Sequence, residues 1–469
     1  MIDASVPRLF GTDGIRKIVG TELTPAFVVK VADAVAHYLR GEGPVLVARD
    51  FRTTSPGFVQ LIVGTLSVHG LEVIDMGVMP TPCLQFNVRA LRARLGLTVT
   101  ASHNPTDFNG IKFTDPEGLE ISRDEEDRIE RLVHDPPADP IRWETARTGS
   151  QDSKGVARYL ESIERNVDRA SIASRKLRVV LDPGNGTSGV TSPSLLRDLG
   201  GTVTTIHGEP DGFFRGRPSE PTEANLSDLK QAVVSSGADV GIAHDGDSDR
   251  AAFVDEKGHY LPGEITLALF ARYALEGSPG GTVVTSVTSS TSVKDVVEAA
   301  QGKLVVTRSG SLPVARAILD HRAIFGGEEN GGYYWPSHQV ARDGPMSSAK
   351  MLEILARTGR PLSELVASLP HYTVVKSNVP LPANLRSRVM EHVLADLQTR
   401  SAEVVTIDGV KALFSDGWLL VRPSGTEPLC RIFAESRAPA RAQELAALGK
   451  TIVEAAQSGA LRQSRPASP

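Results

Sequence analysis

Short apolar runs that alternate with amphipathic helical stretches restrict this chain's fold more than any other feature. Val45–Val47, Leu71–Met76 and Leu95–Val99 read as strands, separated by helical patterns that open on Thr24-Pro25, Ser55-Pro56 and Thr81-Pro82. A hydroxyl residue before Pro marks a helix start. Its side chain caps a free amide, and Pro at the first position has no amide to satisfy. Phe27, Val31, Val35 and Leu39 line one face of the first helix, and Val59, Ile62, Val63 and Leu66 line that of the second. Alternation at these lengths predicts βαβ units and a mainly parallel sheet.

The pattern runs three times. A second series holds strands Leu177–Leu181, Val203–Ile206 and Ala238–Ala243, and a third holds Thr282–Val287, Leu304–Val306 and Ala323–Phe325. A Pro-, Gly- and charge-rich stretch over 134–155 separates the first series from the second. From about 370 the pattern changes to short strands and two helices. The predicted class is α/β: three βαβ-rich mixed-sheet domains over 1–152, 153–257 and 258–370, then a smaller α+β domain over 371–458. A flexible tail is expected over 459–469.

With 40% hydrophobic and 23% charged residues among 469, the chain has the composition of packed cores rather than disorder. A formal charge of −5 gives no sign of a nucleic-acid or anionic-membrane partner. No apolar run reaches the ~18 residues of a membrane span, and the N-terminus does not read as a signal peptide. Cys83 and Cys430 lie far apart and outside any metal-ligand spacing. A reducing, cytoplasmic setting is expected.

Each series ends a strand in a loop rich in chemistry. Thr100-Ala101-Ser102-His103-Asn104-Pro105 follows Leu95–Val99 and presents a hydroxyl at the carboxyl end of a strand, where open α/β sheets bind ligands. Asp245, Asp247 and Asp249 alternate in His244-Asp-Gly-Asp-Ser-Asp-Arg250, a clustering that a hard divalent cation, most naturally Mg2+, would neutralise. Glu256 at the twelfth position mimics a calcium EF-hand, but Arg250 stands where that loop needs Gly, and strand-like residues flank it. Gly326-Gly-Glu328-Glu-Asn330-Gly-Gly332 could orient sugar hydroxyls through Glu328 and Asn330, or be a flexible Gly loop. Arg422-Pro-Ser424-Gly425-Thr426, with Arg431 nearby, offers a guanidinium, two hydroxyls and a free amide to a phosphate. Arg16 and Lys112 are candidate anion contacts, and His103 reads as a hydrogen-bonding neighbour of the serine.

Five motifs in order, FGTDGIR (10–16), TASHNP (100–105), DGDSDR (245–250), GGEENGG (326–332) and RPSGT (422–426), resemble those of the α-D-phosphohexomutases. That family includes phosphoglucomutases, phosphomannomutases and phosphoglucosamine mutases. The resemblance implies four domains around a central cleft, and a phosphoserine at Ser102. It implies Mg2+ on Asp245, Asp247 and Asp249 with a phosphoserine oxygen, and a catalytic group of Ser102, Lys112, Arg16 and His103. Substrate would meet Arg250, Glu328, Asn330, Arg422, Ser424, Gly425, Thr426 and Arg431. Hexose phosphates would be the small-molecule partners, with a hexose 1,6-bisphosphate as intermediate and activator.

Two departures stand out. Many relatives carry a His in the sugar loop where Gly332 stands here, which leaves His338 or Lys112 as candidates for proton transfer. The Pro336, His338 and Arg342-Asp343-Gly344 that follow resemble the archaeal-type branch. Residues 214–226, FRGRPSEPTEANL, depart from a family segment and suggest no role. RLFGTDGIR resembles phosphoglucosamine mutases, so the expected reaction is glucosamine 6-phosphate to glucosamine 1-phosphate, with mannose or glucose phosphates as alternatives. A phosphatase using the same phosphoserine and a non-catalytic sugar-phosphate binder are the rival classes.

Overall fold

A computed structural model describes residues 8–11, 13–138, 140–425 and 427–463. Four sheets, each with its own helices, follow one another along the chain. In the first, the spatial order is Ile15–Ile18, Phe108–Thr114, Leu95–Val99, Pro44–Arg49, Glu72–Val78, Ser150–Gln151. Pro44–Arg49 lies parallel to both Leu95–Val99 and Glu72–Val78, as βαβ connections require.

The other side of this sheet differs from the sequence reading. Phe108–Thr114 runs antiparallel between Leu95–Val99 and Ile15–Ile18. Asn109-Gly110 looks like a turn in the sequence, yet Gly110 is there for close approach: a Cβ on it would stand 2.2 Å from the Ile15 carbonyl oxygen. Arg16, the candidate anion contact, sits in a strand opposite Gly110. The Thr24 cap is as expected, its hydroxyl accepting the Phe27 amide. Ser55 instead turns its hydroxyl to Asp50, at 2.7 Å.

The second sheet runs Tyr260–Leu261, Ala251–Asp255, Val240–His244, Arg178–Asp182, Thr202–Thr205, and the third Lys303–Thr307, Thr282–Ser286, Phe325–Gly327, Tyr333–Trp335, Gln339–Arg342. Both add antiparallel strands to a parallel core, so these three sheets are mixed. The fourth, starting with Thr373–Pro380, is wholly antiparallel and packs under helices Arg386–Arg400 and Pro439–Gln463. That last helix continues through 459–463, where the expected tail begins; 464–469 lie outside the described residues. No described helix is long and apolar enough to cross a membrane.

One apolar core crosses three domains. It joins Met76, Met79 and Leu84 of the first to Tyr159, Ile163 and Leu195 of the second and Phe270 and Phe325 of the third. The fourth domain keeps its own core and meets the third through Val287 against Trp418, Leu420 and Phe433. The second and third domains are also tied by Tyr159, whose hydroxyl donates to Asp343 at 2.6 Å. His244 is buried at this junction. Its Nδ1 donates to the Arg250 carbonyl at 2.9 Å, and Nε2 accepts from Ser192 or Ser348.

Two stability tests follow from this packing. Gly110→Ala should cost at least ~1–3 kcal/mol in the first domain, because backbone lies on two sides of the new methyl; an unchanged unfolding midpoint would contradict the close approach. Burial lowers the His244 pKa from 6.5 to about 4, so between those values the unfolded state binds more protons than the folded one. Stability should therefore fall as pH drops from 6.5 toward 4, by up to about 3 kcal/mol from this residue. His244→Gln should flatten that slope in a series of thermal melts.

Candidate active site

The serine loop is held from behind. Ser102 has φ +51°, a left-handed conformation that costs a non-glycine residue energy and needs outside support. Its amide donates to Thr100 Oγ1 at 3.0 Å, and its carbonyl accepts from Arg52 and from Ser219 Oγ, both at 3.0 Å. The buried Arg52 guanidinium also donates to the carbonyls of Asn104 (2.7 Å), Pro105 (2.6 Å) and Phe108 (2.8 Å). Phe214 packs over Arg52, and Arg217 donates to Asp182 (2.8 Å) and to the His244 carbonyl (2.6 Å). Segment 214–226 is thus the buttress between the serine loop and the aspartate loop.

The sequence suggests an exposed hydroxyl at Ser102; the residue is 1% exposed, because the second domain closes over it. Ser102 Oγ donates to Asp245 Oδ2 at 2.9 Å, and His103 Nδ1 lies 3.3 Å away. Burial, then the Arg250 and Arg16 guanidiniums, push the His103 pKa down to about 2, so this imidazole is neutral. A ring that refuses a proton this strongly orients the hydroxyl rather than acting as a general base.

Asp245, Asp247 and Asp249 converge, with one oxygen of each within 4.8 Å of the others. Burial and then the Asp249 and Asp247 charges raise the Asp245 pKa well above the carboxylate range. Lys112 enters from the first domain and sets its ammonium 2.7 Å from Asp247, 2.9 Å from Asp13 and 3.1 Å from Asp249. Burial opposes its charge, but these three carboxylates outweigh it and keep Lys112 protonated above the ordinary lysine range. Arg342 of the third domain adds contacts to Asp249 (2.7 Å) and Asp13 (3.2 Å). Thr81 donates its hydroxyl to Asp247 at 2.6 Å.

Oδ1 of Asp247 and Oδ1 of Asp249 are buried without a hydrogen-bond partner. Orphaned carboxylate oxygens beside a third carboxylate are a donor set that suits an oxygen-seeking divalent ion such as Mg2+. Arg16 reaches Asp13 and donates to Asn104 at 3.2 Å, beside the serine. Arg250 lies 3.9 Å from Asp249 and 3.6 Å from Glu220.

The 326–332 loop borders the cluster, its Gly331 carbonyl accepting the Ala251 amide at 3.0 Å and Arg342 lying against Gly332, whereas the 422–425 stretch stands apart. Glu328 is buried, accepts the Gly310 amide at 2.9 Å and leaves Oε2 unpartnered. Asn330 turns its carbonyl back to the Gly332 amide at 3.0 Å. Arg422 and Arg431 are cross-strand neighbours, paired respectively with Asp408 (2.6 Å) and Glu427 (2.9 Å). Ser424 is buried and its hydroxyl accepts the Glu427 amide at 3.2 Å, while Gly425 is exposed. Thr426 lies outside the described residues. Among the described residues, no hydrogen bond or ion pair joins this loop to the serine cluster.

His338 does not reach the serine cluster. It is stacked on Phe86, bonded to Ser162 at 3.0 Å and packed against Tyr159 in the shared core. The sequence reading passed over Asp13, Arg52, Thr81 and Arg217, and took Arg342 only as part of a branch motif. Asp13 and Arg342 had a signal, since each stands inside a quoted motif. Thr81 reads as a helix cap, and Arg52 and Arg217 resemble surface charges.

Four family descriptions cover most of the chain. They are phosphoglucomutase/phosphomannomutase alpha/beta/alpha domain I over 7–138, domain II over 157–258, domain III over 262–372 and the C-terminal domain over 378–448. A phosphoglucomutase/phosphomannomutase of Thermococcus kodakarensis is 38% identical, over 96% of this chain and 100% of its own length. A phosphoglucosamine/phosphogalactosamine mutase of Sulfurisphaera tokodaii is also 38% identical, over 95% and 99%. The crystal structure of a phosphoglucomutase/phosphomannomutase family protein from Burkholderia thailandensis superposes with a TM-score of 0.86 at 27% identity, covering 96% of this chain and 98% of that one.

Arg52→Met should leave four backbone carbonyls of the serine loop short of a donor and Asp50 without its cation, at a cost of roughly 3 kcal/mol. Amide exchange over 100–105 should then accelerate. Exchange as slow as in the parent protein would show that Arg52 does not hold the loop.

Proposed function

Because the chain belongs to the phosphoglucomutase/phosphomannomutase family, we propose that it interconverts glucosamine 6-phosphate and glucosamine 1-phosphate through a phosphoryl group carried on Ser102. It is an isomerase of hexose phosphates, like its named relatives. The observation that carries the proposed mechanism is the Ser102 hydroxyl standing 2.9 Å from Asp245, inside the aspartate cluster and beside Lys112.

In the forward half-reaction the bond between phosphorus and Ser102 Oγ breaks as a bond to a sugar hydroxyl oxygen forms. The sugar hydroxyl's proton ends on Oγ, whose hydrogen bond to Asp245 is the arrangement seen here. A hexose 1,6-bisphosphate results, and after it turns end for end its other phosphate returns to the serine. Lys112 and Arg16 serve as fixed cations around the transferring group, and water is excluded by the same burial that leaves Ser102 1% exposed. Mg2+ held by Asp245, Asp247 and Asp249 would, when bound, draw charge from the phosphoryl oxygens.

Charge balance supports the pairing of phosphate with metal. Around Ser102, the carboxylates Asp13, Asp247 and Asp249, with Asp245 pushed toward its neutral form, face the cations Arg16, Lys112, Arg250 and Arg342. A phosphoserine adds about −1.5 to −2. A divalent cation on the aspartate cluster would offset that addition and favour the ionised form of Asp245. The Arg422 and Arg431 pair, with Ser424, Gly425 and Thr426, is the cradle proposed for the non-reacting phosphate, and Glu328 and Asn330 the proposed sugar contacts. The described polar contacts of the fourth domain run to the third, so the proposed cradle reaches the serine cluster only across the substrate.

For the sugar, the phosphoglucosamine/phosphogalactosamine mutase relative supports the glucosamine reading. The Thermococcus relative's name favours mannose or glucose phosphates as the second one. Rates on glucosamine, mannose and glucose phosphates, with Mg2+ and a bisphosphate activator, decide between them. Ser102→Ala should abolish turnover and the phosphate adduct in intact-mass spectra, and chelating the metal should stop turnover of the parent enzyme. Full activity of Ser102→Ala would overturn the mechanism; release of free phosphate faster than isomerisation would make the protein a phosphatase.

A further inference from the structure

At the far edge of the first sheet, two helices bring a second set of metal-ligating side chains together. Helix Pro25–Leu39 carries Asp33 and His37 one turn apart, and His69 follows helix Ser55–Val68. His69 Nε2 lies 2.8 Å from Asp33 Oδ1, and His37 Nε2 lies 3.7 Å from Asp33 Oδ2. The two rings meet edge to face with centroids 5.3 Å apart, and one donor atom from each residue falls within 4.8 Å of the others. His37 and His69 side chains are 13% and 12% exposed, whereas Asp33 is 30% exposed.

We propose that Asp33, His37 and His69 bind one Zn2+ ion, with water in the fourth position. Both imidazoles turn Nε2 toward the same carboxylate, and two neutral imidazoles with one carboxylate are a donor set suited to Zn2+. Tetrahedral Zn–N and Zn–O bonds of about 2.0–2.1 Å place donor atoms about 3.3 Å apart, between the 2.8 and 3.7 Å at which the imidazoles approach the two oxygens of Asp33. A proton shared between Asp33 and one imidazole accounts for the 2.8 Å contact with His69, while His37, one helical turn from Asp33, approaches the same carboxylate only to 3.7 Å. That ring has no hydrogen-bond partner among the described residues, although it is mostly buried. The metal fills this gap and cross-links the two helices that cover one face of the first sheet.

This site is separate from the serine cluster by topology. His37 and His69 stand just before Pro44–Arg49 and Glu72–Val78, at the amino-terminal edge of the parallel strands, and Ser102 follows the carboxyl end of Leu95–Val99. Zn2+ here acts on folding rather than on phosphoryl transfer. At 100 times its Kd it should raise the folding equilibrium constant about 100-fold and shift the first domain's melting upward.

Metal-free, full-length protein titrated with Co2+ reads the site directly. Four-coordinate Co2+ with imidazole ligands gives strong visible d–d bands, and the all-oxygen aspartate cluster gives only weak ones. The parent protein should develop the strong bands, lose them on adding Zn2+, and melt higher with Zn2+. His37→Gln, His69→Gln and Asp33→Asn should each lose the bands, with Asp33→Asn keeping Mg2+-dependent mutase activity as a check on folding. Asp247→Asn should keep the bands. Weak bands alone in the parent protein, or strong bands that survive both histidine substitutions, would overturn the site.

Discussion

The buried ammonium of Lys112 between Asp13, Asp247 and Asp249 is the contact on which the arrangement of this site depends. Taking charged groups out of water is costly, and removing one partner leaves the other stranded. Lys112 belongs to the first sheet and Asp247 and Asp249 to the loop between two strands of the second, so the buried charges of the two domains complete each other. Arg342 extends the same cluster to the third domain. Three domains are locked in one relative position by electrostatics as well as by the apolar core they share. A site whose charges are already fixed needs little rearrangement when charge shifts during phosphoryl transfer.

Backbone strain at Ser102 fits into this frame. A left-handed serine persists only where its surroundings hold it, and here the supports come from Arg52, Thr100 and Ser219. Gly246 completes the fit, since a Cβ there would stand 2.6 Å from the Ser102 carbonyl oxygen. The serine loop and aspartate loop are therefore shaped to each other at backbone level, and the hydroxyl is aimed before any substrate arrives.

The fourth domain is built on a different principle. Its core is separate, and Trp418, Glu435 and Lys411 fasten it to the third domain near Val287 and Thr291. Arg422 and Arg431, side by side on adjacent strands, are each matched by a local acid. The Arg431–Glu427 pair is exposed and contributes little to stability, whereas Arg422–Asp408 is mostly buried.

Much of this was legible in the sequence. Apolar periodicity predicted the alternating strands and helices, because burial on one helix face or in a sheet interior leaves a pattern in the residues themselves. The serine, the aspartate triplet and their loops were visible because carboxylates and glycines cluster there within a few residues. Phe108–Thr114 does not read as a strand because Asn109 and Gly110 interrupt its apolar alternation, and Gly110 is explained only by backbone packed on both sides. Arg52 and Arg217 were not legible as site residues, since the backbone carbonyls they hold lie far away in sequence. Local pattern thus determined the class of fold and the chemical groups available. Only the tertiary structure decided which charges meet, because the three domains' loops converge through packing that no single stretch of sequence encodes.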